Sequence, residues 1–406
     1  MSIDRSTIAS AFFFLALIEV AIIASPATSG ADHNLIGLDE ASRGVVKIGA
    51  IYSLEGPQSP LDRPSARGAM LAAREINAQG GMDGRRIELV LCDAKSDPAR
   101  VRECAESLLR ENVSAMMGLS DTDMVLAAAP LAEEAGIPFV TSGATSPRLA
   151  EMYKVLFLAC FGDNVQAEAG ALYAYDEMGL KTCSLLVDGD MEYARLLADY
   201  FKEQYQDLGG EIVLEAFLNG SDPLNLSRAI IDADADMIYL AAGPNEAEDL
   251  IESMRREGID SPLFGGDSFD SPQLRREGMG NIVFSTHALL DENSSVTGEF
   301  ARAYRAEYGI PPENAFSALG YDTVKLLSGA INRSGSTDPA AILLALENTS
   351  GFRAVTGEIS YLEHGRIPHK DVTMILLYDQ EITASEILAP SKPAVSTGSV
   401  IKESGR

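Results

Sequence analysis

The chain has 406 residues, of which 46% are hydrophobic and 23% are charged, and its formal net charge is −28. A chain of this length exceeds the size of a single compact core, so we expect two domains. The strong negative charge argues against binding to nucleic acid, whose phosphates attract cationic surfaces, and against binding to anionic membranes.

The first 31 residues have the outline of a secretory signal peptide. Arg5 precedes an apolar run at residues 11–24, and a zone of small residues follows. Glu19 interrupts this run, which is too short and too broken to span a membrane comfortably, and this argues against a retained anchor. We therefore predict a signal peptide at residues 1–31 and a periplasmic or extracytoplasmic protein.

The four cysteines leave the disulfide pattern open. Cys92 lies in a predicted strand and Cys104 on the helix that follows, so these two could form a local bridge or remain as buried thiols. Cys160 and Cys183 allow further pairings, and the sequence does not choose among them.

Predicted strands and helices alternate along the chain. Up to residue 160 the strands are 45–51, 86–91, 113–117 and 139–140, and the helices are 66–77, one opened by Asp97-Pro98, and 124–135. Later strands are 182–187, 212–217, 237–242, 262–264, 282–284 and 372–378, with a β-rich piece at 356–361. Later helices are 164–178, 193–206, 224–231, 246–257, 297–308, 315–331 and 340–346. This alternation predicts an α/β fold with doubly wound parallel sheets, followed by a disordered tail at 389–406.

Two loops rich in hydroxyl groups follow neighbouring predicted strands. They are residues 118–122, Gly-Leu-Ser-Asp-Thr, and residues 142–146, Ser-Gly-Ala-Thr-Ser. Serine and threonine often serve only as helix caps. Parallel strands, however, present their carboxyl ends at one sheet edge, where small ligands bind. Two consecutive loops of this kind favour a binding site.

The same segment resembles the first lobe of periplasmic solute-binding proteins of the branched-chain amino acid (Leu/Ile/Val-binding) type, which serve ABC importers. The most specific motif is residues 68–81, Gly-Ala-Met-Leu-Ala-Ala-Arg-Glu-Ile-Asn-Ala-Gln-Gly-Gly. The other matching residues are Gly118, Thr122, Ala-Ala-Pro at 128–130, Gly-Ile-Pro at 136–138 and Ala-Thr-Ser-Pro at 144–147. The resemblance covers roughly residues 45–378.

The resemblance implies two discontinuous lobes of the type I periplasmic binding fold. Lobe 1 would comprise residues 45–161 and 287–367, and lobe 2 residues 162–286 and 368–388. Three crossovers near Phe161, Thr286 and Pro368 would form the hinge. A ligand between the lobes would be buried when they close.

A free α-amino acid brings a carboxylate and an ammonium group, and each must be matched when water is removed. The resemblance implies that the Thr122 hydroxyl binds the carboxylate and that Thr145 contacts both charged groups. The Gly143 carbonyl would accept a hydrogen bond from the ammonium. Ala144, between Gly143 and Thr145, belongs to the same predicted ligand-binding set.

The resemblance places three further ligand-binding residues outside these loops. Asp267 would pair with the ammonium, although an aspartate after Gly-Gly is more often a turn residue or a helix cap. Tyr193 would close over the backbone end of the ligand, and its alternative role is a half-buried residue at a helix start. Phe316 would line the side-chain pocket, but on an apolar helix a phenylalanine is more often core.

Several positions depart from the family pattern. Leu61 replaces an aromatic residue at the mouth, and Gly243 replaces a second tyrosine. Asp121 and Asp123 flank Thr122, and an acidic side chain that pointed at a bound carboxylate would be costly. Arg63 lies near the mouth. The zwitterion site is therefore expected to be kept and the side-chain pocket altered.

Other classes of function lack their sequence features. The acidic run at residues 232–236 lacks the glycine and the bidentate glutamate of a calcium loop. There is no nucleophile or acid–base constellation, so we expect no enzyme, no catalytic residue, no cofactor and no metal site.

The expected partners are an amino acid or close analogue and the membrane subunits of an ABC permease, and a monomer is expected. The alternatives are a ligand sensor of the same fold and a binder of amides, urea or aromatic acids.

Overall fold

The computed structural model describes residues 44–219, 223–362 and 364–390. The predicted signal peptide at residues 1–31, and residues 391–406 of the predicted tail, lie outside these ranges. Within them, no helix is both long enough and apolar enough to cross a membrane.

Five parallel strands form the first sheet, in the order β2-β1-β3-β4-β5. The strands are β1 Val45–Tyr52, β2 Arg86–Asp93, β3 Ala115–Gly118, β4 Phe139–Thr141 and β5 Leu156–Leu158. The helices that connect them are α1 Ser59–Ala78, α2 Pro98–Arg110, α3 Thr122–Ala135 and α4 Pro147–Met152. Strands β3, β4 and β5 are buried along their whole length, which is expected of a parallel sheet covered on both faces.

Seven strands form the second sheet, in the order β14-β13-β10-β9-β8-β6-β7. They are β6 Thr182–Val187, β7 Glu211–Phe217, β8 Met237–Ala241, β9 Leu263–Gly265, β10 Asn281–Thr286, β13 Val372–Tyr378 and β14 Glu381–Leu388. The helices between the parallel strands are α5 Asp163–Leu172, α6 Glu192–Asp207, α7 Pro223–Ala233 and α8 Pro244–Arg256. Only β13 and β14 run antiparallel to their neighbours.

Between β10 and β13 the chain returns to the first sheet. This return contains α9 Gly298–Tyr308, α10 Ala315–Ser334, α11 Pro339–Glu347 and the hairpin β11 Phe352–Ala354 with β12 Gly357–Ile359. Residues of α10 and α11 share a hydrophobic core with β1 and α1. The chain therefore passes between the two sheets after β5, after β10 and before β13.

A close contact between α1 and α10 explains the first glycine of the 68–81 motif. A Cβ atom on Gly68 would overlap the carbonyl oxygen of Ser317, and one on Gly320 would overlap that of Ser65. The two backbones can approach this closely only because both positions lack a side chain.

The predicted elements agree with the structure in type, but α4 and β5 were not predicted. Two further differences concern α1 and β14. Helix α1 begins at Ser59 rather than at residue 66, because Pro60 lies in its first turn and Pro64 is accommodated inside it. Pro64 has no N–H, so it leaves the Pro60 carbonyl without a helical partner, and the Asn314 side chain donates to that carbonyl at 3.0 Å.

The second difference is β14, which the sequence analysis did not predict. Seven of its eight residues are exposed, so its pattern carries no hydrophobic alternation. It exists as a strand through antiparallel pairing with β13.

The structure also defines the state of the cysteines. Cys92, in β2, and Cys104, in α2, form a disulfide bond. Cys160 and Cys183 are free and buried.

Candidate functional site

A small inner cavity lies between the two sheets and is bordered by residues from both sides. Its volume is about 10 Å³, close to the room that one water molecule needs. The lining residues are Gln58, Leu61, Ser120 and Asp121 from loops and helix starts near the first sheet, Met191, Tyr193, Gly243, Pro244, Asp267 and Ser268 from the second, and Phe316 from α10. The described conformation is therefore closed around this point.

A larger outer cavity of about 610 Å³ continues from the inner one toward solvent. Gln58, Asp121 and Met191 line both cavities. The remaining lining residues come from the α2 and α3 starts and from loops that follow β6, β7 and β8. The cleft thus runs from the surface to a buried end at Asp267.

Asp267 is the most fully bonded acidic side chain at this buried end. It lies two residues after β9 and is 2% exposed. One carboxylate oxygen accepts hydrogen bonds from the Tyr193 hydroxyl and from the Gln166 amide, both at 3.0 Å. The other oxygen lies 3.0 Å from Nε2 of His287. Since a carboxylate offers about four acceptor positions, one position remains for a ligand.

Gln166 and His287 hold Asp267 in place, and the sequence analysis assigned neither of them a role. The Gln166 carbonyl oxygen accepts from the Asp267 N–H at 2.9 Å and from the Ser285 hydroxyl at 2.6 Å. The His287 ring stacks on Phe161, with ring centres 3.9 Å apart. Burial lowers the pKa of His287, so its neutral ring donates Nε2–H to Asp267.

Three of the seven predicted ligand-binding residues line the inner cavity, namely Tyr193, Asp267 and Phe316. The other four, Thr122, Gly143, Ala144 and Thr145, are buried and lie outside its lining. In the described conformation these four residues do not border this cavity, and their roles in ligand binding remain predictions.

The 142–146 loop is tied to the residues that line the inner cavity. A Cβ atom on Gly143 would come within 2.6 Å of the Phe316 ring, so glycine allows this ring to pack against the loop. The Ala144 N–H donates to the Thr141 hydroxyl at 3.1 Å, which engages a donor that a ligand could otherwise use. The Thr145 hydroxyl bonds to Asp163, and Asp163 accepts from Gln166 at 2.9 Å.

Thr122 is the first residue of α3, and its hydroxyl has no hydrogen-bond partner among the described residues. The neighbouring Asp121 caps the same helix and accepts from the Met124 N–H at 3.0 Å. This carboxyl group occupies a helix N-terminus that could otherwise receive a ligand carboxylate.

Several carboxyl groups in and around the cleft have raised pKa values. Burial and the charge of Asp123 raise the pKa of Asp121 to about 7. Burial also raises the pKa of Asp62 to about 6, and burial together with Asp267 raises that of Asp163 to about 7. No lysine or arginine is among the residues that line either cavity. The predicted departures Leu61 and Gly243 both line the inner cavity, whereas Arg63 lines neither and donates to the Leu54 carbonyl.

Comparison with known proteins identifies the family. A family model described as periplasmic binding protein matches residues 45–376. The chain belongs to this family of periplasmic binding proteins. The type I periplasmic binding fold and the resemblance noted from the sequence are thereby confirmed.

The relatives of this periplasmic binding protein include amino-acid-binding proteins. "Leu/Ile/Val-binding protein homolog 1" from Brucella abortus is 26% identical over 326 residues, which cover 79% of this chain and 87% of that protein. LivJ of Streptococcus pneumoniae, a branched-chain amino acid transporter substrate-binding protein solved with isoleucine, is 30% identical. It has a TM-score of 0.79 and covers 85% of this chain and 100% of LivJ. The leucine-binding protein LivK of Thermotoga maritima is 28% identical, also with a TM-score of 0.79, over 85% of this chain and 99% of LivK.

The disulfide bond agrees with a location outside the cytoplasm. The Cys92–Cys104 disulfide is of a kind that persists in oxidising compartments. Among the described residues, no group of three or more His, Cys, Asp or Glu side chains is placed to hold a metal ion.

Proposed function

We propose that the protein captures a free α-amino acid, or a close analogue, between its two sheets and delivers it to the permease of an ABC importer. The observation that carries the proposal is the placement of Asp267. This buried carboxylate lies at the closed end of a cleft, oriented by Tyr193, Gln166 and His287, with one acceptor position left.

The proposed contacts match the two charged groups of an amino acid zwitterion. Asp267 binds the ammonium, and Tyr193 covers the backbone end of the ligand. The unpartnered hydroxyl of Thr122 and the loop residues Gly143, Ala144 and Thr145 provide polar groups on the opposite side. Phe316 contributes apolar surface to the inner cavity. Isoleucine bound to LivJ, at 30% identity, supports an amino acid as the ligand.

The small volume of the inner cavity supports a proposal about motion. A cavity of about 10 Å³ cannot admit an amino acid without separation of its walls. We propose that residues 45–161 with 287–367 and residues 162–286 with 368–388 move as two bodies, and that ligand binding favours the closed arrangement. The acidic lining argues against ligands whose only charge is a carboxylate, such as aromatic acids.

A thermal-shift screen of the mature protein against free amino acids, amides, urea and aromatic carboxylates tests the proposal. A ligand that binds only the folded state stabilises it by about 2.7 kcal/mol at a hundredfold excess over its Kd. We expect shifts with α-amino acids, and no comparable shift with aromatic carboxylates.

The substitution Asp267→Asn tests the role of the acid. Loss of a buried charge partner costs at least about 2 kcal/mol, so amino-acid affinity should fall roughly 30-fold or more. Asp207→Asn is the matched control, since this exposed aspartate at the end of α6 lines neither cavity. Full affinity in Asp267→Asn, with its folding intact, would overturn the assignment.

A further inference from the structure

The outer part of the cleft carries more acidic groups than a neutral amino acid requires. Five carboxyl side chains are among the residues that line the outer cavity, and no basic residue accompanies them; the five are Asp121, Asp123, Asp188, Asp190 and Glu246. They come from both sides of the cleft, because the first two lie at the start of α3 and the others follow β6 and β8. Closure therefore brings like charges toward one another across the opening.

Backbone donors compensate part of this charge. Both oxygens of Asp123 accept from the Glu192 N–H, at 3.0 and 3.3 Å, and Asp188 accepts from the Asp190 N–H at 3.1 Å. Such bonds orient a carboxylate and leave its charge in place. Asp190 and Glu246 also line this cavity, and both are exposed.

Three basic side chains close to the lining residues are paired with other acids. Arg195 acts on Asp123 and Asp190 through space, but its guanidinium binds Glu192 at 2.6 Å. Arg148 also binds Glu192, at 3.0 Å. Lys95, next to the lining residue Ser96, pairs with Glu55 at 3.3 Å. The acidic lining thus keeps a net negative field directed into the cavity.

A separate observation at the inner end of the cleft indicates a polar ligand group. Ser120 lines the inner cavity and is 8% exposed; its hydroxyl interacts with the Asp62 carboxyl group, although not in ideal hydrogen-bond geometry. Leu61 and Met191 line the same cavity and offer apolar contact for a short aliphatic chain. The cleft therefore presents an acid at its buried end, an apolar middle and an acidic opening.

We infer that the ligand carries a second positive charge beyond its α-ammonium group, as a basic amino acid or another diamino compound does, and that this charge lies in the outer cavity. The inference rests on the proposed function, because it assumes that the α-ammonium binds Asp267. The aliphatic stem of such a ligand passes Leu61 and Met191, and its terminal ammonium lies among the five carboxyl groups.

The raised pKa values of two carboxyl groups that line the outer cavity agree with this assignment. Burial raises the pKa of Asp121 and that of Asp123. A bound cation favours the ionised form of both groups. Binding of a cationic ligand near pH 7 should therefore release protons, and its affinity should increase as the pH rises through 7.

Calorimetric titration of the mature protein with lysine and with norleucine tests the inference. Norleucine has the same four-carbon side chain as lysine and lacks only the terminal ammonium group. We expect lysine to bind at least about tenfold more tightly than norleucine at low salt, with an advantage that decreases as salt is added. Norleucine binding as tightly as lysine would overturn the inference and leave amino-acid capture standing. Binding of neither would overturn the inference, and the thermal-shift screen would then decide whether amino-acid capture stands.

A pair of double variants separates a local effect from the overall charge. Asp190→Asn with Glu246→Gln removes two charges from the outer cavity. Glu203→Gln with Asp207→Asn removes two exposed charges from the far end of α6. Neither of these residues lines either cavity. The first variant should reduce the preference for lysine over norleucine at least about threefold, and the second should leave it unchanged. Equal effects of the two variants would overturn a local site.

Discussion

Asp121 shows how one residue sets the chemistry of this cleft. Its carboxyl group caps α3, lines both cavities and has a pKa near 7, raised by burial and by Asp123. An aspartate titrates near 3.9 in an unfolded chain. The folded protein therefore binds more protons than the unfolded chain between about pH 4 and pH 7. Across that window this group makes stability fall as the pH rises.

The variant Asp121→Asn tests whether Asp121 makes stability fall as the pH rises. The melting temperature of the unmodified protein should fall from pH 5 to pH 8, and part of that fall should be absent in the variant. General charge repulsion in a chain of net charge −28 also lowers stability as the pH rises. Comparing the two proteins cancels this shared effect. A steeper fall in the variant, measured by thermal unfolding in matched buffers, would contradict the raised pKa.

Among the individual site residues, sequence analysis predicted those that match a family motif. It missed those that come together only in the folded protein. Asp267 and Tyr193 were predicted from the likeness and lie 3.0 Å apart between polar atoms. Gln166 is 101 residues from Asp267 and 119 from Ser285. A network of this kind has no local pattern, so nothing in the sequence marked Gln166 or His287 as its members.

Among the elements, the connection from β2 to α2 carries the Cys92–Cys104 disulfide, which closes a short loop with a sequence separation of 12. A loop of this length contributes about 2–3 kcal/mol through the entropy of the unfolded chain. We expect a reductant to lower the free energy of unfolding by roughly this amount, as measured by denaturant titration. In the double variant Cys92→Ala/Cys104→Ala the reductant should have no further effect. A variant as stable as the oxidised protein would contradict the prediction.

The α1–α10 contact gives a second prediction about elements. Alanine at Gly68 would overlap the Ser317 backbone, which cannot rotate away as a side chain could, so Gly68→Ala should cost at least about 2 kcal/mol of unfolding free energy. Gly329→Ala, also on α10, is the control. Its Cβ would meet the end of the flexible Arg333 side chain at 3.2 Å and the edge of the Phe352 ring at 3.9 Å, and helix propensity should stabilise the variant by about 0.5–1 kcal/mol. Similar unfolding free energies for the two variants would refute the close packing.

The elements also show where sequence patterns suffice. Strands β6 and β13 have the predicted bounds, because buried parallel or central strands are continuous apolar runs. The start of α1 and strand β14 were missed for opposite reasons. The start of α1 contains two prolines, which are unusual in a helix. Strand β14 is exposed, and it is defined by its pairing with β13, which no local sequence pattern shows.

For the whole molecule, the crossovers connect the ligand site to the proposed hinge. His287, in the second crossover, bonds to Asp267 and stacks on Phe161 of the first. Lys370, in the third, donates to the Ala159 carbonyl of the first at 2.8 Å and to the Thr356 hydroxyl at 2.7 Å. The acid that is proposed to bind the ammonium is thus in direct contact with the second crossover, and through His287 it is connected to the first.

A crystal structure of the mature protein with an amino acid bound is the measurement that tests the central claim most directly. The account predicts that the ligand lies between the two sheets, with its ammonium nitrogen about 3 Å from the Asp267 carboxylate and its α-carboxylate facing the loops that contain Thr122 and Thr145. A ligand bound elsewhere, or one whose carboxylate faces Asp267, would contradict it.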